Sequence, residues 1–308
     1  MSILVMGATF LDIKGFPEDQ YIPNGRNVGR IEYIHGGVAR NVVEDIANVE
    51  LKPTYVGIVD NTPMGDAVVE KLKNHKVNTD YVLSRPDGMG TWLAVFDNNG
   101  DVAGSISKRP NMLPLVDLLE EKGDEIFASA SSAVLEIDLN KEIIKKTIEL
   151  AERHNTKLYG VVSNMSIAAQ RRDFLQKFDC FICNLQEVGI FFADDYQSCT
   201  PEELEKILSS KVQNAQIPSI VVTMGSKGCV WADMKGNSGV CPARNVQVKD
   251  TTGAGDAFCA GVTIGLTYGK TLAESVEIGT TLAASVITSS ENVCPRFLPQ
   301  ELGLNVEV

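Results

Sequence analysis

The residues with the clearest chemical potential lie within one short stretch, residues 248–258. Alternating valines at its start indicate the end of a strand, and the small and apolar residues 257–266 indicate a buried helix that follows. A helix start leaves backbone N–H groups without partners, and its dipole favours negative charge. Because Gly253 and Gly255 have no side chains to block a ligand, this turn predicts an anion site, most often one for phosphate.

The unexpected residue in this turn is Asp256, because a carboxylate repels an anion. A carboxyl group placed here is suited to act as a general base that takes a proton from a hydroxyl attacking a phosphoryl group. The structural alternative is a tight turn in which Asp256 only complements the helix dipole. The stretch therefore predicts phosphoryl transfer, with the plain turn as the alternative.

Composition narrows the class of protein. The 308 residues include 44% hydrophobic side chains, enough for one large α/β domain or for such a domain with a small appendage. The net charge of −12 disfavours nucleic-acid polymers and anionic membranes as partners. The sequence shows no membrane-length apolar run and no signal-peptide pattern, and its seven cysteines are scattered. These features predict a cytoplasmic protein with free thiols.

Hydrophobic periodicity predicts an α/β fold. The predicted strands are residues 2–6, 54–59, 132–137, 157–162, 179–183 and 219–223. The predicted helices are residues 42–49, 64–75, 115–123, 141–154, 167–177, 186–193, 201–212, 257–268 and 271–288. Strands separated by helices predict a mostly parallel central sheet covered by helices on both faces.

Three predicted strands fall outside this alternation, at residues 24–34, 91–97 and 102–108. Asn98, Asn99 and Gly100 join the last two, and Asn-Gly between alternating runs is a strong hairpin signal. A small separate sheet is therefore expected. Its apolar face needs a cover, either the main domain or a second copy of the chain, and we expect a homodimer formed through this sheet.

Two groups of residues near the N-terminus are candidates for binding hydroxyl groups. Asp12 follows the first predicted strand, and ligand groups gather beyond the carboxyl ends of strands in α/β sheets. Gly36 and Gly37 precede a predicted helix and would let backbone approach a ligand that Asn41 reaches from the first turns. The structural alternatives are a surface carboxylate and a capping turn.

Two later groups are candidates for binding phosphate and metal. Asn184 and Glu187 share a face of a predicted helix, where Glu187 can hold a hydrated Mg²⁺; the alternative is an N-cap box. Thr223, Gly225 and Gly228 end a predicted strand, in a turn suited to nucleotide phosphates. The alternative for Gly228 is a simple turn into the next strand.

The string of residues 250–258 resembles the C-terminal signature of the ribokinase-like (PfkB) family of sugar and nucleoside kinases, and the other motifs follow in that family's order. The resemblance implies a ribokinase-like fold. Its α/β core would comprise residues 1–12, 36–88 and 111–308, and its β-sheet lid residues 13–35 and 89–110.

The resemblance also implies a role for each motif. Asp256 would activate a primary hydroxyl, and the amides of Gly253, Ala254 and Gly255 would form an anion hole. ATP and Mg²⁺ would be organised by Asn184, Glu187, Thr223, Gly225 and Gly228. Sugar hydroxyls would be held by Asp12, Gly36, Gly37 and Asn41, and Asp250 would bind a monovalent cation, usually K⁺.

The motifs constrain the identity of the substrate less than they constrain the type of reaction. Gly36-Gly37-Val38 followed by Arg40-Asn41 is similar to the pseudouridine kinase branch, while ribokinase and adenosine or inosine kinase activities stay open. A family aspartate often found near residues 163–164 is absent, which leaves any contact it makes in doubt. A non-enzymatic nucleoside or sugar sensor is the alternative of another class, and it predicts binding without turnover. A dinucleotide-dependent oxidoreductase is disfavoured because the first strand lacks the glycine fingerprint.

Overall fold

The structure, a computed structural model, describes residues 1–164, 167 and 169–306. Its strands are β1 (Ile3–Met6), β2 (Phe10–Pro17), β3 (Gly29–Gly36), β4 (Thr54–Asp60), β5 (Asn78–Arg85), β6 (Gly90–Phe96), β7 (Val102–Lys108), β8 (Ser132–Glu136), β9 (Lys157–Val161), β10 (Cys180–Asn184), β11 (Ser219–Thr223), β12 (Cys229–Asp233) and β13 (Ser238–Cys241). Its α-helices are α1 (Val38–Asn48), α2 (Pro63–Asn74), α3 (Pro114–Ala128), α4 (Lys141–His154), α5 (Leu185–Phe192), α6 (Pro201–Ala215), α7 (Ala254–Thr267) and α8 (Leu272–Ile287).

The larger sheet has the strand order β13-β12-β11-β10-β9-β8-β1-β4-β5. Strands β11 to β5 in this order pair in parallel, and β12 and β13 add an antiparallel edge. Buried apolar clusters lie on both faces, and all four residues of β1 are buried. Strands buried on both faces become continuous apolar runs, which is why their positions were predictable. The expected α/β fold is confirmed.

The second sheet has four strands in the order β3-β2-β6-β7. The predicted hairpin is present, with Gly100 at φ +84° between β6 and β7. Strand β2 was not predicted, since it starts only three residues after β1 ends. The strand expected at residues 24–34 begins only at Gly29, because residues 22–25 form a turn closed by a hydrogen bond from the Gly25 amide to the Ile22 carbonyl.

Several predicted boundaries are also corrected. Helix α1 begins at Val38 rather than at residue 42, because the polar side chains of Arg40 and Asn41 are buried instead of lying in an exposed turn. The strand expected before residue 248 is absent, since residues 242–248 pair with no neighbouring strand. The helix expected at 167–177 is a 3-10 helix over Ala169–Lys177, and its residue 168 lies outside the described residues.

All seven cysteines are free thiols, as expected. In the described part of the chain, no helix combines the length and the apolar composition that crossing a bilayer requires.

Helices α7 and α8 pack through glycines. A Cβ atom added to Gly261 would lie 2.6 Å from the Cα of Gly279, which is backbone and cannot rotate away. Helix α7 carries Asp256 in its first turn, so this close contact helps to fix the position of that residue relative to α8.

We therefore predict that Gly261→Val lowers the free energy of unfolding by about 1–3 kcal/mol, because the added side chain forces the two helices apart. Gly104→Val is the matched control. Gly104 lies in exposed strand β7, where an added Cβ would have no atom within 4 Å, and its substitution should change stability by less than about 0.5 kcal/mol. Urea unfolding followed by circular dichroism measures both, and equal effects would contradict the helix-contact argument.

Candidate active site

The first of two neighbouring cavities has a volume of about 600 Å³. Four predicted site residues line it: Asp12, Gly37, Asn41 and Asp256. It lies beyond the carboxyl ends of β1 and β8, where α/β folds gather ligand-binding groups. Residues that are far apart in the sequence therefore meet in one cavity.

The second cavity has a volume of about 530 Å³. Among its lining residues are Thr223, Gly225, Gly228, Ala254 and Gly255, all of them predicted for the nucleotide or the anion hole. The linings of these two cavities do not include Gly36, Asn184, Glu187, Asp250 or Gly253.

The start of α7 separates the two cavities. Thr252 and Asp256 line the first cavity, and Thr251, Ala254 and Gly255 line the second. One helix turn thus presents different residues to each space. A ligand in either cavity would meet the same helix N-terminus, whose dipole favours negative charge.

Asp256 has an environment suited to a general base. Its Oδ2 accepts a hydrogen bond of 2.7 Å from Nδ2 of Asn41. Burial raises the pKa of Asp256 to about 7, against the lowering effects of the Asn41 hydrogen bond and of Arg40. The nearby Asp12 raises it further. A carboxyl group that titrates near neutral pH is well matched to exchange a proton with a substrate.

The turn before α7 depends on Gly253. This residue is the helix N-cap with φ +82°, and an added Cβ would lie 2.0 Å from the Asn292 carbonyl oxygen. Ala254 N lies 3.3 Å from the Thr251 carbonyl oxygen, whereas no described residue accepts a hydrogen bond from the Gly255 amide. Around Gly255, space for a ligand is open, since no atom lies within 4 Å of where its Cβ would be.

Asp12 lies in strand β2 rather than in a loop after the first strand. Burial raises its pKa to about 6, although Lys14 and Arg40 lower it. Gly36 leaves room for this carboxyl group, because an added Cβ would lie 2.5 Å from Asp12 Oδ2. Gly37 has φ +101°, and its Cβ would lie 2.5 Å from the Ala8 carbonyl oxygen. Glycine is therefore required at position 37, whereas a side chain at position 36 would displace the Asp12 carboxyl group.

Asn184 and Glu187 form the capping box that was the structural alternative. Asn184 Oδ1 accepts hydrogen bonds from the amides of Gln186 and Glu187, and Glu187 Oε2 accepts one of 2.8 Å from the Asn184 amide. Burial raises the pKa of Glu187 to about 7, and the charges of Asp138 and Asp256 contribute. A bound cation would relieve this repulsion, so the donor chemistry fits a metal held through water.

Asp250 is exposed, and its Oδ1 accepts a 2.9 Å hydrogen bond from the Thr252 amide. Burial acts to raise its pKa, but hydrogen bonds from Thr252 and Thr251 and the charge of Lys14 together outweigh this effect, so the net pKa is lowered. The described residues contain no group of three or more His, Cys, Asp or Glu side chains in metal-binding arrangement. A role for Asp250 as a K⁺ ligand stays a prediction.

Several residues of the first cavity were not predicted from the sequence. Glu136 is fully buried and accepts hydrogen bonds from the amides of Ala8 (3.2 Å) and Ala39 (2.8 Å), and burial raises its pKa to about 8. Asp138 accepts hydrogen bonds from the Ser163 amide and hydroxyl. The available signal was two carboxyl groups at the end of the strand predicted at 132–137. The other polar and aromatic lining residues, Trp92, Ser107 and Arg109, come from the small sheet and the segment after it.

Comparison with known proteins identifies the family. A sequence profile described as pfkB family carbohydrate kinase matches residues 1–294. The chain belongs to this family. The guanosine-inosine kinase of Exiguobacterium acetylicum is 33% identical over 292 residues, which cover 94% of this chain and 95% of that protein. The pseudouridine kinase of Escherichia coli (strain K12) is 22% identical over 279 residues, 89% of this chain and 86% of that protein.

The comparison of structures agrees with the pfkB assignment. The ribokinase of Arabidopsis thaliana, solved in complex with ribose and ATP, superposes with a TM-score of 0.81 at 18% identity over 97% of each chain. The predicted ribokinase-like fold is confirmed. The chain is a sugar or nucleoside kinase of the pfkB family, as the motifs predicted.

The hydrogen bond from Asn41 yields a testable prediction. Asn41→Ala removes a donor that favours the charged form of Asp256, so the pKa of Asp256 should rise further above 7. Carbon-13 NMR of labelled aspartate carboxyl groups measures this, with the Asp256 signal assigned by its loss in Asp256→Asn.

Asn140→Ala is the matched control for this measurement. Asn140 lines the same cavity, but its side chain does not cap α4 and does not contact Asp256. The Asp256 titration should be unchanged in this variant. An unchanged titration in Asn41→Ala as well would contradict the assigned role of the hydrogen bond.

Proposed function

We propose that this protein transfers the terminal phosphoryl group of ATP to the primary hydroxyl of a ribonucleoside. The observation that carries the proposal is the position of α7, whose start lines both cavities. An acceptor in the first cavity and a phosphate donor in the second would meet at this turn. Phosphoryl transfer needs such an alignment more than it needs covalent chemistry from the protein.

Each residue of this turn has a distinct task in the proposed reaction. Asp256 takes the proton from the acceptor hydroxyl while the hydroxyl oxygen attacks the phosphorus and the bond to the donor's bridging oxygen breaks. The amides of Gly253, Ala254 and Gly255 stabilise negative charge on the transferring group. The Gly255 amide is best placed for this, since the space around this residue is open.

The second cavity suits the nucleotide. Val246 and Ile287 supply apolar surface for a base, and Thr223, Gly225 and Gly228 lie where the phosphates would enter from β11. Asn184 and Glu187 would hold the Mg²⁺ of the nucleotide through water molecules. When bound, this ion neutralises charge on the phosphates. Asp250 would bind K⁺ beside the same turn.

A nucleoside is the preferred acceptor because of the first cavity's size and lining. A volume of about 600 Å³ exceeds what free ribose would fill, and Phe10 and Trp92 offer aromatic surface to a base. Asp12, Gly36, Gly37 and Asn41 would hold the ribose hydroxyls. Guanosine and inosine are the first candidates, because the relative with that activity is 33% identical, compared with 22% for the pseudouridine kinase.

The test is ATP consumption with guanosine, inosine, pseudouridine, adenosine, ribose and fructose as acceptors. We expect turnover of at least one nucleoside, with activity rising as pH increases through about 7, because Asp256 must be ionised to accept a proton. Asp256→Asn should lower kcat at least about 100-fold with little change in nucleoside binding.

Two outcomes would contradict this assignment. Equal turnover by Asp256→Asn and the parent protein would remove Asp256 as the base. Binding of a nucleoside without any ATP consumption by the parent would favour the sensor function instead. Asp66→Asn, in the first turn of α2 away from both cavities, is the matched control and should retain full activity.

We also propose that the outer face of the small sheet binds a second copy of the chain. Paired residues on neighbouring strands share a face. Asp12, Trp92 and Ser107 are paired across β2, β6 and β7 and line the first cavity. The residues next to them, Ile13, Leu93 and Ile106, are also paired and therefore point to the opposite face.

This outer face is apolar and largely uncovered. Ile31 and Tyr33 of β3 extend it, being 63% and 60% exposed, and Ile106 is 71% exposed. An apolar patch of this kind on one face of a sheet favours a partner with the same surface, as in a two-fold symmetric dimer.

Light scattering should therefore give the mass of a dimer at micromolar concentration. Ile106→Glu places a charge in the proposed contact and should yield a monomer. Leu113→Glu, at another apolar exposed position outside the small sheet, should stay dimeric. A parent protein that is monomeric at micromolar concentration would contradict the proposal.

A further inference from the structure

Arg40 is a buried cation that the pfkB-family motifs did not assign to any task. Its side chain is 1% exposed within α1. Its Nη1 donates a hydrogen bond to Asn41 Oδ1, and its Nη2 lies 2.8 Å from Glu44 Oε2. Burying a guanidinium group costs free energy, so the residues that contact Arg40 indicate the role of its charge and geometry.

Arg40 fixes which end of the Asn41 amide faces Asp256. Asn41 Oδ1 accepts from Arg40 and lies 3.4 Å from Nδ2 of Asn292, while Asn41 Nδ2 donates to Asp256 Oδ2. The reversed amide would place its NH₂ group against two donors and its oxygen against a carboxylate. The amide is therefore held in the orientation that occupies one oxygen of Asp256 and leaves the other for a substrate.

Glu44 holds Arg40 from the other side. The Glu44 side chain is fully buried, and its Oε1 lies 2.9 Å from Nζ of Lys71 and 3.9 Å from Nε2 of His75. Arg40 and Lys71 thus share one carboxylate. Because Lys71 also balances the charge of Glu44, the cluster has a net positive charge that acts on Asp256. The ion pair with Glu44 fixes the position of Arg40.

We propose that Arg40 is a positioning residue for the general base, acting through Asn41 to orient the Asp256 carboxyl group and through its charge to keep that group ionised. This inference rests on the proposed function, in which Asp256 takes the acceptor's proton. Arg40 itself does not line either of the two cavities.

The charges around Asp256 show why a cation is needed there. The carboxyl groups that interact with it are Asp12 of β2, Asp45 of α1, Glu136 of β8 and Glu187 of α5, and the thiol of Cys259 lies on its own helix. Each negative charge disfavours ionisation of the others in this buried site. Arg40 opposes this effect and lowers the pKa of both Asp256 and Asp12.

Two substitutions separate charge from geometry. Arg40→Gln removes the charge, so the pKa of Asp256 should rise. The acid limb of the profile of kcat against pH should then move to higher pH by about one unit, which lowers kcat at pH 6 about tenfold. Arg40→Lys keeps the charge but cannot bridge Asn41 and Glu44 with a planar fork. Its acid limb should stay in place while kcat at the optimum falls about tenfold.

The same variants are examined by carbon-13 NMR of the Asp256 carboxyl group without any substrate. The titration should move upward in Arg40→Gln and stay near that of the parent in Arg40→Lys. Arg153→Gln, a surface arginine paired with Asp124, is the matched control and should leave both readouts unchanged. Circular dichroism establishes that each variant is folded, and Arg40→Lys carries the test if Arg40→Gln does not fold.

The result that overturns the inference is a folded Arg40 variant whose kcat profile and Asp256 titration match those of the parent. A loss of kcat in both variants without the shift in Arg40→Gln would equally overturn the electrostatic role. A third outcome is that the parent phosphorylates no acceptor while the Asp256 titration of Arg40→Gln is shifted from that of the parent. In that case the proposed function fails, and the effect of Arg40 on Asp256 stands.

Discussion

The interaction on which the rest of the site depends is the mutual repulsion of several buried carboxyl groups. Asp12, Glu136, Glu187 and Asp256 gather near one edge of the sheet, and burial raises the pKa of each. Such a cluster repels anions, so binding of phosphate here would require groups that offset the repulsion. The start of α7, the amide of Asn41 and any bound cation all counteract the same repulsion.

The fold brings these groups together through strand ends and one close helix contact. Strands β1 and β8 end at the first cavity, and β11 ends at the second. Helix α7 then inserts its first turn between the two cavities, and the contact between Gly261 and Gly279 leaves it little freedom to shift against α8. The start of α7 lines both cavities, but its position is set by packing further along the same helix.

Features set by adjacent residues were predictable from the sequence, whereas features that depend on residues distant in the chain were not. The turn at Gly253 and the helix that follows it were predicted from adjacent residues. The adjacent residues gave no role for Arg40 and Glu136, because their importance depends on burial and on contacts with residues distant in the chain. Strand β2 was missed because only three residues separate it from β1, and one of its two pairings, with β6, joins residues about eighty positions apart.

Asp12 lies on a strand of the small sheet, not on the large one. Strand β2 leaves β1 after three residues and carries Asp12 near its start, whereas Asp256 is anchored on the core. Any rotation of the small sheet about this short connection would therefore change the separation of the two carboxyl groups. A ligand held by both residues would therefore select one orientation of the sheet.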